Sequence, residues 1–201
     1  MRISLLLSTP VAISLIAATP AATIELNPLS AIKGAVEAVA EDRSSSDIAK
    51  DTSVKAKITA AITDKMGTDV TSIGIDVYEQ NIMLTGTLKT AEQKAEAGKL
   101  VKTIEGVKTV HNEIRVVKEG ETKKGAAEGF VDDSVIESKI NAFLLEAKGV
   151  NVTNFRWRSV GGHVYLFGRA LTKAELDQAI AVVKGIKNVL SITSRVTIRA
   201  K

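Results

Sequence analysis

An internal echo constrains this chain more than any other feature. IMLTG, Ile82 to Gly86, returns as VYLFG, Val164 to Gly168, at the same place in a second, similar passage. At a shift of 82 residues Asp51 falls on Asp133, Ile58 on Ile140, Gly67 on Gly149, Val70 on Val152, Leu84 on Leu166 and Thr90 on Thr172, without a gap. Further on, Gly106 and Val107 match Gly185 and Ile186 at a shift of 79, and the last strand returns to the first register, with Val110, Ile114 and Val116 on Ile192, Val196 and Ile198. A repeat of this kind governs the fold. The chain therefore divides into two modules of about 70 residues each. Modules that small bury only about 60% of the surface their unfolded chains expose, so the copies are expected to pack on each other or to borrow an extra element.

Taken in order, residues 1–22 read as a secretory signal peptide: Arg2, an uncharged apolar run from Ile3 to Ala18, then small residues up to Ala22. Residues 28–46 read as an amphipathic helix and connector, with Pro28 opening a helix that carries Ile32, Ala35, Val36 and Val39 at helical spacing. Module 1 spans 47–117. Asp51 or Thr52 is expected to cap its first helix, whose stripe is Val54, Ile58 and Ile62. Ile73, Ile75 and Val77 alternate with smaller or polar residues and turn through Glu79-Gln80-Asn81 into Ile82 to Leu88. A second helix with Ala97, Val101 and Ile104 inward precedes a final strand.

Residues 118–130, rich in glycine and charge, read as a linker. Module 2, 131–201, repeats the order, its helix starting near Asp133 with Ile136, Ile140 and Leu144 inward and its hairpin turning on Gly161-Gly162. Gly86 and Gly168, in mid-strand, suggest close approach of a helix backbone. The fold expected is α+β: two αββαβ modules, each a three-stranded mixed sheet with two helices on one face, plus the N-terminal helix.

The residues also bound the chemistry. The chain has no cysteine, which excludes disulfides, thiolate metal sites and an N-terminal lipid anchor on cysteine. His111 and His163 occupy different slots of the repeat, lack the spacing that sets two ligands on one helix face, and read as solvent-facing strand-end residues. No nucleophile elbow, phosphate loop or dinucleotide fingerprint occurs. Neither an enzyme, a cofactor nor a metal site is expected.

Two copies of αββαβ, each with an Asp-led helix, a VxLxG-type second strand and a GVxxV-type turn (Gly106 to Val110, and GIKNV, Gly185 to Val189), resemble tandem BON domains of the osmotically inducible and nodulation protein type. The lead-in from Ala40 to Ile58 is similar to that of secreted proteobacterial members. The resemblance covers about Asp47 to Lys201. It implies a non-enzymatic periplasmic envelope protein of osmotic or membrane stress, touching phospholipid or acting as a chaperone.

Strand alternation singles out one face. If Phe155, Trp157, Val164 and Leu166 point to the helices, then Arg156, Arg158, Tyr165, Phe167 and Arg169 point away, joined by Arg195 and Arg199 beside Thr193 and Thr197. The equivalent positions of module 1 (Gly74, Asp76, Met83, Thr85, Thr87, Glu113 and Arg115) show no such pattern. This helix-free face is expected to be turned outward to bind anionic phospholipid, its arginines on phosphates and its rings inserted. The alternatives are docking on module 1, on another envelope protein or on an unfolded client, or arginines merely paired with acidic residues and rings packed between modules. Nucleic acid is disfavoured by export. Phe143 with Phe130 forms a separate apolar candidate.

Overall fold

The protein is described here by a computed structural model covering residues 42–67, 72–117 and 132–199. The signal peptide, the helix expected after Pro28, the linker and Phe130 lie outside the described residues. Module 1 runs α1 (Ser45–Met66), β1 (Gly74–Tyr78), β2 (Asn81–Thr85), β3 (Thr87–Leu88), α2 (Ala91–Lys102), β4 (Thr109–Asn112) and β5 (Arg115–Val116). Module 2 runs α3 (Asp133–Glu146), a 3-10 turn, β6 (Phe155–Val160), β7 (His163–Ala170), α4 (Lys173–Lys184) and β8 (Ser191–Ile198). The architecture is α+β, with the αββαβ order twice.

In each module the middle strand pairs antiparallel with the strand before it and parallel with a strand after the crossover helix, giving the orders β1-β2-β4 and β6-β7-β8, and in module 1 a short parallel pair, β3-β5, follows beyond Gly86. The antiparallel pair needs only a two-residue turn, whereas the parallel return requires a crossover, supplied by α2 and α4. One side of each sheet is buried under its helices. Val54, Ile58 and Ile62 of α1 pack with Ala97 and Val101 of α2 on Ile75, Val77, Ile82 and Leu84. Ile136, Ile140 and Leu144 pack with Ala179 and Val183 on Phe155, Trp157, Val164 and Leu166. Trp157 keeps its indole N–H satisfied by donating to the Glu137 carbonyl at 3.2 Å.

Two local expectations are corrected. Helix α1 starts at Ser45 and is capped by Ser44, whose hydroxyl accepts from Asp47 N at 3.1 Å. Asp51 is therefore inside the helix, and what it caps is the hairpin: it accepts from Glu79 N (2.7 Å), Gln80 N (2.8 Å) and Gln80 Nε2 (2.7 Å). Asp133 does the same in module 2, accepting from Gly161 N (2.7 Å), Gly162 N (3.0 Å) and Ser159 Oγ (2.6 Å). The carboxylate in this repeat slot thus pins each helix to its own hairpin turn, and in module 2 Glu137 adds a bond from Ser159 N at 2.9 Å. Gly86 and Gly168 do mark a close approach, but by the chain entering the first strand and not by a helix: a Cβ there would meet Ser72 O at 1.9 Å and Asn154 O at 2.1 Å.

Candidate functional site

The alternation places the expected residues on one face, but that face is not turned outward. The helix-free sides of the two sheets face each other. Tyr165 and Phe167 are 7% and 2% exposed and pack in one cluster with Tyr78 and Met83 of module 1. Period-two alternation fixes which side of a sheet a residue occupies and is silent about what covers that side. The expectation of an outward-facing surface is corrected accordingly.

Carboxylates of module 1 meet most of the arginines. Arg158 donates through Nε and Nη2 to the two oxygens of Asp76, both at 3.0 Å, the forked geometry that makes Arg–carboxylate pairs strong and directional. Arg195 Nε donates to Glu113 at 2.7 Å. Arg169 pairs with Glu79 and Asp42, and Arg199 reaches Asp42 at 3.0 Å. Arg156 donates to the carbonyls of Thr153 and Phe155, both at 2.9 Å, with its guanidinium 5.6 Å from the Tyr78 ring. All seven expected residues are brought together, at a seam between modules. These pairs are only partly closed off from water, Arg195 and Arg199 remaining well exposed, so they set register and partner more than they add net stability.

Two participants escaped the sequence reading. Asp42 and Arg43, assigned to a connector, thread into the seam: Asp42 N donates to Asn154 Oδ1 at 3.1 Å, and Arg43 pairs with Asp51 while its guanidinium lies 4.2 Å from the Tyr78 ring centre. No sequence signal marks them, because their partners are distant in the chain. The acidic partners were readable in principle, since Asp76 and Glu113 sit in the same repeat slots as Arg158 and Arg195.

His111 lies at the seam rather than facing solvent, its ring edge-on to Phe167 at 6.1 Å. Burial and then the Arg195 charge hold its pKa below the ordinary 6.5, against Glu113, and burial and Arg115 lower that of His163 against Asp133. Burial raises the Tyr165 hydroxyl. An imidazole depressed on folding binds its proton less readily folded than unfolded, so stability present above the ordinary histidine pKa is lost as pH falls through it toward the folded value. Urea midpoints are therefore expected to fall between about pH 7 and pH 5, and His111→Gln with His163→Gln to flatten the fall. An equal fall in that variant would assign it to other groups.

Among the described residues no group of three or more His, Asp or Glu is placed to hold a metal. A second surface lies on the outside of α3, where Val135 (46%), Phe143 (46%) and Leu145 (62%) are exposed. The corresponding positions of α1 carry Ser53, Ala61 and Thr63. No helix among the described residues is long and apolar enough to cross a membrane.

Residues 50–118 and 132–200 each match the BON domain family. The chain is 34% identical over 128 residues to the uncharacterized protein in the gshII 5′ region of Anaplasma centrale, covering 64% of this chain and 82% of that one. It is 28% identical over 142 residues to osmotically-inducible protein Y of Escherichia coli (strain K12), covering 71% and 69%. Among solved structures, CdsD, a structural protein of the type III secretion system of Chlamydia trachomatis, aligns with a TM-score of 0.32 at 9% identity, over 73% of this chain and 92% of that one, a likeness too loose to argue from. With both modules matched along nearly their full length, the chain belongs to the BON domain family.

Proposed function

We propose that this is a non-enzymatic periplasmic envelope protein of the osmotic-stress type that binds anionic phospholipid peripherally through module 2, by the outer side of α3 and not by the sheet. The observation that carries the reading is the set of Val135, Phe143 and Leu145, exposed on a helix whose counterpart in module 1 carries only small or polar residues there. Large apolar side chains spread over the exposed half of α3, with Lys139 on the same helix and Lys148 just past its end, suit a headgroup boundary, where apolar insertion and attraction to anionic lipid act together. The likeness to osmotically-inducible protein Y and the signal-peptide-like start support the compartment. Arg158, Arg169 and Arg195 are engaged with carboxylates of module 1, so this reading does not rest on the seam arginines.

Co-sedimentation with vesicles of phosphatidylglycerol and phosphatidylcholine should exceed that with phosphatidylcholine alone. Phe143→Ser with Leu145→Ser is expected to lower partitioning at least about tenfold, since each buried CH2 contributes roughly 0.8 kcal/mol. Equal binding of the variant and the parent would remove this surface. Suppression of client aggregation without vesicle binding would favour the chaperone reading of the same patch.

A further inference from the structure

The two modules meet across an approximate two-fold axis. Asp76 and Arg158 stand 82 residues apart, in the same slot of the repeat, and they bond to each other. Glu113 and Arg195, also 82 apart, do likewise. A position meets its own counterpart only where a two-fold axis passes, as in an isologous dimer. Met83 and Tyr165, again counterparts, share the apolar cluster. Off the axis the contacts exchange. Arg169 of module 2 reaches Glu79 in the hairpin turn of module 1. Arg115, register partner of Thr87, the counterpart of Arg169, reaches the Val160 carbonyl at the hairpin of module 2 at 3.0 Å.

On such an axis the charges decide who pairs. Two first modules would set Asp76 on Asp76 and Glu113 on Glu113. Two second modules would set arginine on arginine twice. Unlike modules alone place opposite charges together, so the same positions that attract the right partner repel the wrong one.

We propose that the seam is a module-pairing surface whose partner is a BON module carrying the opposite charge at these two axial positions. Module 1 takes module 2, from the same chain or a second copy, and like modules are refused. The inference is independent of lipid binding.

The full-length chain has no cysteine, so Lys99→Cys and Lys184→Cys, both on exposed helix positions, accept a pair of spin labels that reports the distance between modules. A basic chain carries Asp76→Arg with Glu113→Arg, and an acidic chain Arg158→Asp with Arg195→Glu. Each alone is expected to lose the single parental distance and to stay monomeric in light scattering. Mixed, they should form a one-to-one heterodimer, with at least about 100-fold preference over self-association. A chain with all four exchanges, plus Glu137→Gln because Glu137 lies 3.9 Å from Arg158, should recover the parental distance. That chain also answers the question should either two-site chain fail to fold by circular dichroism. Retention of the parental distance in the basic or acidic chain, self-association as strong as mixed association, or an open seam in the exchange chain would overturn the proposal.

Discussion

Gly168→Ala is expected to unfold module 2 under conditions where the parent chain is stable. Gly168 has φ +109°, a region that side chains rarely enter, and it pairs with Phe155 in the sheet. A methyl group there would stand 2.1 Å from the carbonyl oxygen of Asn154 and 3.2 Å from its carbon. The obstacle is main chain, which cannot swing aside as a side chain could. The dihedral strain alone amounts to about 1–3 kcal/mol. With the clash the loss should reach about 4 kcal/mol or more, in the exceptional range for one substitution and a large share of a typical 5–15 kcal/mol. Gly149→Ala is the control, with φ +81° and nothing within 4 Å of the added methyl. It should lose only about 1 kcal/mol. Urea denaturation of both variants separates the two effects. Equal losses would show that the close approach at Gly168 has no energetic weight.

The same contact was only half readable from sequence. A glycine repeated in mid-strand announces that something comes close, but the neighbour, Asn154 O or Ser72 O, is set by how the first strand is entered. What was legible followed from short periods. The stripe Val54, Ile58, Ile62 and the alternation Ile75, Val77, Ile82, Leu84 are fixed by backbone geometry, and all are buried as expected. The placement of Tyr165, Phe167 and the arginines on one face followed from the same rule. Their fate did not, because docking depends on a surface contributed by the other module. The start of the first helix at Ser45 is not legible in the sequence for a related reason. Asp is both a good N-cap and a good acceptor for turn amides, and only the fold shows that Ser44 takes the first role and Asp51 the second. The paired repeat slots at 76 and 158, and at 113 and 195, were visible as opposite charges, yet gain meaning only once a two-fold axis joins them.

Asp51→Ala should cost far more than Asp133→Ala, although the two occupy one slot of the repeat. Both carboxylates hold a hairpin turn to a helix. The turn over Asp133 is Gly161-Gly162, at φ 59° and 78°, which glycine adopts without strain. Its loss leaves partly solvated amides, worth about 1–2 kcal/mol. The turn over Asp51 is Glu79-Gln80, at φ 52° and 62°, where side chains make the left-handed conformation unfavourable unless the amides are held. Asp51 also neutralises Arg43, whose side chain is only 4% exposed. Removing one partner of a buried pair costs about 3–5 kcal/mol, because the remaining charge loses its counter-charge in a site closed to water. Removing Arg43 as well should return part of that loss, which a double-mutant cycle of Arg43→Ala with Asp51→Ala measures directly as a coupling of about 1–3 kcal/mol. The effect should extend to the seam, since Arg43 lies over Tyr78 and Tyr78 packs with Tyr165 and Phe167. The spin-label distance between modules should therefore broaden in Asp51→Ala and stay sharp in Asp133→Ala. Equal urea midpoints for the two alanine variants, or a cycle with no coupling, would mean that the carboxylate at 51 acts on its hairpin alone and that the lead-in residue plays no part in joining the modules.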